Sequence, residues 1–133
     1  MTPVDTLITD LKSTDAATRD RAALEIMNIG DDKAIGPLID AIRVPENINN
    51  RGTLVYALGA FNCIDHLDLL IDLCITGNFE VSLCAYNCIE DLELTTNVAE
   101  QIKGQLVKYS HQVLPHEHST EAFAALSQLI SEV

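Results

Sequence analysis

Residues 6 to 42 read "TLITDLKSTDAATRDRAALEIMNIGDDKAIGPLIDAI", and one phrase in them is heard three times. "DTLITDL" occupies residues 5 to 11, "GPLIDAI" residues 36 to 42, and "DLLIDLC" residues 68 to 74. Aligning these phrases gives a register of Leu7, Leu38, Leu70 and Ile102, at intervals of 31, 32 and 32 residues. Four positions on stand Leu11, Ile42, Cys74 and Leu106, which fall on the same face of a helix. Between these phrases a second set of apolar triplets recurs. They are Ala22, Ile26 and Ile29; Leu54, Leu58 and Phe61; Ala85, Ile89 and Leu92; and Ala122, Leu126 and Leu129. Each has the spacing i, i+4, i+7 of a single helical stripe.

The punctuation agrees with that register. Asp15 is placed to cap a helix beginning at residue 16, and Gly30 stands where a left-handed residue closes it. "VPEN" breaks the second repeat, with Asn47 as a candidate cap, and Gly77-Asn78 reads as a stop followed by a start. Asn97 with Glu100 has capping-box spacing. Pro37 lies near the first turn of its helix, where a missing N–H matters least. The expected helices span residues 3–13, 16–30, 33–43, 48–61, 64–76, 79–92, 97–110 and 117–131. No stretch alternates with period two, so strands are not expected.

Helical pairs repeating at this interval stack, because one pair cannot bury its apolar face alone. The expected architecture is therefore an all-α solenoid of four hairpins in a single domain over residues 1–133. Its repeats cover about 3–30, 31–62, 63–94 and 95–133. "LKSTDAATRDRAALEIMNIGDDKAIGPLIDAI" resembles the short bacterial HEAT-like repeat, with Arg19 at the consensus arginine and Gly30-Asp31 at the closing Gly-Asp, and the resemblance implies a right-handed solenoid. The resemblance is strong over residues 5 to 74, fair to residue 92 and weak beyond. The second repeat lacks the arginine and the Asp-Pro turn, and the fourth has "HEHST" where the turn belongs.

Composition narrows the function. Twenty acidic residues face eight basic ones, a formal charge of −12, which repels phosphate backbones and anionic lipid and attracts cationic proteins. HEAT-like DNA glycosylases present a basic concave face with aromatic side chains. Here the second-layer helices carry Asp20, Glu25, Glu90 and Asp91, and Trp is absent, so nucleic acid is not the expected partner. Acidic residues interrupt every apolar run before it is long enough to span a membrane, and "MTPVDTLITDLKS" lacks the basic n-region of a signal peptide. A cytoplasmic protein is expected. Cys63, Cys74, Cys84 and Cys88 fall within 26 residues at helical spacing among apolar neighbours, as packing thiols do.

Catalytic signals are sparse. Cys63 and His66 lie three residues apart, without an oxyanion donor or a group to orient the imidazole. His111, His116, Glu117 and His118 collect in the longest loop, "HQVLPHEHST", where imidazoles and a carboxylate suit a transition metal. The HEAT-like deoxyhypusine hydroxylases hold iron with His-Glu pairs on successive repeats. This chain has only His116-Glu117, and Arg19-Asp20 and Asn50-Arg51 stand at the equivalent earlier places. A metal-dependent enzyme at the His111–His118 loop is the remote alternative.

The expected function is non-catalytic, with no cofactor. The chain is expected to hold one protein partner, with a basic surface, against a concave helical face. Candidate contacts are Arg21, Glu25, Arg51, Tyr56, Glu80, Tyr86, Asn87 and Glu90, the tyrosines serving as aromatic anchors. A compact acidic binder of one basic protein suits a bacterial immunity protein or antitoxin that neutralises a toxin. The alternative is an adaptor or accessory subunit of a larger enzyme, as related repeats are in phycobilin lyases.

Overall fold

A computed structural model describes residues 3–133. Eight α-helices account for the regular structure of these residues, and no strand occurs among them. They are α1 (Val4–Asp10), α2 (Ala16–Ile29), α3 (Ile35–Arg43), α4 (Gly52–Leu58), α5 (Leu67–Thr76), α6 (Phe79–Glu90), α7 (Thr96–Tyr109) and α8 (Glu117–Ser131). Short 3₁₀ turns, Asp32–Ala34 and Ile64–His66, lead directly into α3 and α5. The chain forms two compact units, one to Asn62 and one from Cys63 to Val133. That division coincides with the boundary between the second and third repeats of the sequence register.

In the first unit α1 packs on α2, α3 on α4, and α2 on α4. In the second, α5 packs on α6 and α7 on α8, while α8 also lies against α5 and α6 and α7 touches α5. Consecutive helices thus pair, and the second helices of neighbouring pairs meet. The first stripe of the register is buried at all eight positions, from Leu7 to Leu106. The second stripe is buried at Ala22, Ile26, Leu54, Leu58, Ala85, Ile89 and Leu126.

Its ends depart from expectation. Ile29 is 37% exposed at the last residue of α2, and Phe61, Leu92, Ala122 and Leu129 are only half-buried. Phe61 lies outside a helix altogether. The amides of Gly59, Ala60 and Phe61 bond three residues back, to Tyr56, Ala57 and Leu58, so α4 tightens into a turn rather than continuing. At its other end α4 starts at Gly52 instead of residue 48, and the reason is Asn47. That side chain is buried, and its Nδ2 donates to the Ala41 carbonyl at 2.9 Å. Asn47 therefore satisfies a carbonyl at the end of α3 and is not the N-cap of α4.

Other caps follow chemistry legible in the sequence. Asp15 accepts from the Thr18 amide and hydroxyl, and the hydroxyl bond is the main cause of its lowered carboxyl pKa. Gly30 adopts φ 71° at the end of α2. Asn78 accepts from Val81 N–H and starts α6. The cap of α7 is Thr95, whose hydroxyl accepts from Val98 N–H, and not the Asn97–Glu100 box. Arg19 is almost fully buried and donates through Nη1 to the Ser13 carbonyl at 2.8 Å, which ties α2 to the turn before it.

Candidate functional site

The second unit concentrates the charge. Residues 63–133 hold eleven of the twenty acidic side chains and two of the eight basic ones, a net −9 of the formal −12. Within that unit α6 presents an outward stripe at i, i+4, i+7, i+11 consisting of Phe79, Leu83, Tyr86 and Glu90. Phe79 is 65% exposed and Leu83 51%, a large apolar expenditure for one helix.

The stripe forms one wall of a cleft of about 240 Å³, whose other wall is α8, contributing His118, Glu121, Ala122 and Ala125. Cys74 and Ser82 line its floor. One carboxylate lines the cleft and two others stand elsewhere on α6. Glu121 lines it, Glu90 ends the stripe, and Glu80 runs along the flank of α6 beside Asn87. Burial, and then the Glu90 carboxylate, pushes the Tyr86 phenol above its ordinary pKa. No lysine or arginine lines the cleft. Such a surface offers apolar contact area with a negative rim, suited to a cationic, partly apolar protein segment.

The geometry of α8 depends on an exchange at its first turn. The last carbonyls of α5 lack intrahelical partners, and α8 supplies them. Ser119 Oγ donates to the Ile75 carbonyl at 2.6 Å and also accepts from the His116 amide. His116 Nε2 lies 3.2 Å from the Thr76 carbonyl and His118 Nε2 2.8 Å from that of Gly77. A carbonyl can only accept, so in both rings Nε2 carries the proton. The two imidazoles stack at 4.9 Å, and Phe79 meets His118 edge-on at 5.8 Å. His116 and His118, two of the three histidines that make the loop attractive for a metal, thus spend Nε2 on backbone carbonyls. Among the described residues no group of three or more His, Cys, Asp or Glu is placed to hold an ion.

The cysteines remain thiols, with Cys63, Cys74 and Cys88 buried and Cys84 half-buried. Burial raises the pKa of all four, that of Cys74 to about 11 and that of Cys88 to about 12. At Cys63, three residues before His66, burial disfavours the thiolate. Two results follow. A thiol probe near pH 7.5 should label the native chain slowly, Cys84 first, and the other three mainly on unfolding; fast native labelling of Cys74 or Cys88 would contradict their burial. A thiol whose folded pKa is raised stabilises the fold below its unfolded pKa, here 9.0, and loses that contribution as pH climbs through the folded value. Urea midpoints should therefore fall between about pH 9 and 12, and fall less in a Cys74→Ala/Cys88→Ala variant.

The remaining sequence-nominated residues lie in the first unit. Arg21 and Glu25 are exposed one turn apart on α2, and Tyr56 is 53% exposed on α4. Arg51 is half-buried, with Nη1 3.5 Å from the Ile42 carbonyl. Glu80, Tyr86, Asn87 and Glu90 all belong to α6; of these Tyr86 lines the cleft, and Glu90 acts on its phenol. Sequence reasoning missed Phe79, Leu83 and Glu121, and took His118 for a metal-ligand candidate rather than part of this cleft. The signal for the first two was present: Phe79 and Leu83 lie off the buried stripe of Ala85 and Ile89, on a face with no other reason to be apolar.

No family model matches the chain, and a search of the curated proteins finds no match. Among the described residues no helix is long and apolar enough to cross a membrane.

Proposed function

We propose that this chain is a non-catalytic protein-binding module of HEAT-like solenoid type that engages one basic partner protein. The supporting observation is the cleft between α6 and α8, lined by exposed Phe79 and Leu83 together with Glu121 and by no lysine or arginine, on a helix that also carries Glu80 and Glu90. Exposed apolar area of this kind is a cost in water and a gain at an interface. The acidic rim selects the sign of the partner and speeds its approach. The repeat reading is supported by the buried register and by the pairing of successive helices in each unit. A small acidic binder fitted to one cationic protein has the attributes of an immunity protein or antitoxin, and that is the specific role proposed.

The test is to capture the partner from the native host and measure its kinetics at two salt concentrations. The Debye length shrinks from about 10 Å at 0.1 M to about 3 Å at 1 M, so the association rate should fall steeply over that range. Charge reversal at Glu80 or Glu90, and at Glu25 if the first unit contributes, should slow association. Phe79→Ala, and Tyr56→Ala if the first unit contributes, should instead speed dissociation, since they remove desolvated contact area. A partner with a neutral or acidic contact surface, associating at a salt-independent rate, would reduce the charge to a solubility feature and remove the support for this role.

A further inference from the structure

A second groove, of about 510 Å³, runs between α7 and α8 in the same unit. Leu106 and Val107 of α7 and Phe123 and Ile130 of α8 form its apolar wall, and Val107 is 56% exposed. Its charges differ in kind from those of the acidic cleft. Glu100 and Lys103 both line it, and Lys103 is one of only two basic residues in the unit. Lys103 makes no hydrogen bond or ion pair with any described residue, whereas Lys108 Nζ donates to Gln105.

With them on α7 stands Gly104. Glu100, Lys103, Gly104 and Val107 have the spacing i, i+3, i+4, i+7, and all four are exposed. A glycine in a helix interior is unfavourable for entropic reasons, so it calls for a packing cause. Within the chain there is none, because a Cβ at Gly104 would meet nothing within 4 Å. A bare glycine lets a second helix approach closely, and no helix of the unit does so there.

We propose that the α7–α8 groove is a self-association surface, taking the α7 of a second copy of this chain about a two-fold axis. Two helical hairpins joined in this way close into a four-helix arrangement that covers Val107 and the groove floor. A two-fold contact is self-complementary, so each pairing occurs twice. With the two α7 helices antiparallel and crossing near residue 102, Lys103 of each copy faces Glu100 of the other. The mixed sign is what favours a second copy over the basic partner: a cationic segment would meet Lys103, while a second copy brings Glu100 to it. The proposal is independent of the acidic cleft, which uses the opposite face of α8.

Sedimentation equilibrium of the full chain from about 1 μM to about 1 mM, a span that covers weak to firm association, reads the result directly. The mass should rise from the 14.5 kDa of one chain towards twice that value. Lys103→Glu sets like charges against each other and should weaken association about tenfold or more, without changing the thermal melt of the dilute chain. The double swap Glu100→Lys/Lys103→Glu restores opposite signs at the original net charge and should restore association. A single-chain mass at every concentration, a dimer indifferent to Lys103→Glu, or a loss the double swap does not repair would each overturn the proposal. So would a Val107→Asn variant that loses the basic partner while the parent stays single-chain, because the groove would then belong to that partner.

Discussion

Leu58→Asp is expected to unfold the chain or bring it close to unfolding. Leu58 is fully buried on α4, in the triplet that faces the core. Removing the leucine alone forfeits its transfer energy and leaves a void, about 2–5 kcal/mol in comparable cores. Aspartate adds a polar group there that must either lose its hydration or take up a proton, a further cost of a few kcal/mol. The sum approaches the roughly 5–15 kcal/mol that keeps a domain folded. Urea unfolding followed by far-UV circular dichroism should show a collapsed midpoint or no transition, against a helix-dominated parent. A variant melting within a few degrees of the parent would mean that the 32-residue register is wrong at its second repeat. Leu58→Met, which conserves volume and polarity, should cost less than about 1.5 kcal/mol and serves as the control.

The second large effect is expected from the smallest change available. Gly77→Ala adds one methyl group, yet that group would collide with the Leu73 carbonyl oxygen and the Val81 side chain. The φ of Gly77 is −69°, so its conformation is open to any residue, and the demand is purely one of space. The carbonyl oxygen belongs to the backbone of α5 and has no rotamer to adopt. The turn between α5 and α6 must therefore shift, and the shift strains the Asn78 cap and the His118 bond to the Gly77 carbonyl. A loss of about 2–4 kcal/mol is expected, in the range of overpacked cores with lost polar contacts. At roughly 3–6 °C per kcal/mol for a chain of this size, the melting temperature should fall by about 6–24 °C. Gly36→Ala is the contrasting case: a Cβ there meets nothing within 4 Å, so the melt should hold or rise slightly. Equal effects at both glycines would refute the steric account.

Much of the fold was legible because the helical period leaves its mark wherever one face is buried and the other wet. The first stripe, from Leu7 to Leu106, was complete in the sequence for that reason, and so were the caps at Asp15, Gly30 and Asn78, which act through neighbours four residues away or nearer. The failures share a cause as well. Asn47 and Asn97 had the composition of caps, but which hydrogen bond wins depends on what stands nearby in space. For Asn47 the competitor was the Ala41 carbonyl, and for Asn97 it was a threonine two residues earlier with the better placed hydroxyl.

For the candidate site the division is sharper. Acidity and the tyrosine and glutamates of α6 could be read directly, because charge and periodicity are properties of the chain itself. That Phe79 and Leu83 stand off the buried stripe was legible, but whether their face meets open water or another helix was not, since an apolar residue looks the same in a core and on a surface. Only the packing of α8 on α5 and α6 decides it, by leaving one side of α6 uncovered. The histidines show the same limit from the other side. His116 and His118 are chemically able to bind a metal, and their spacing alone does not refuse it. Their use depends on carbonyls about 40 residues earlier in the chain, left without partners where α5 ends, and only the tertiary fold brings those within 3.2 Å.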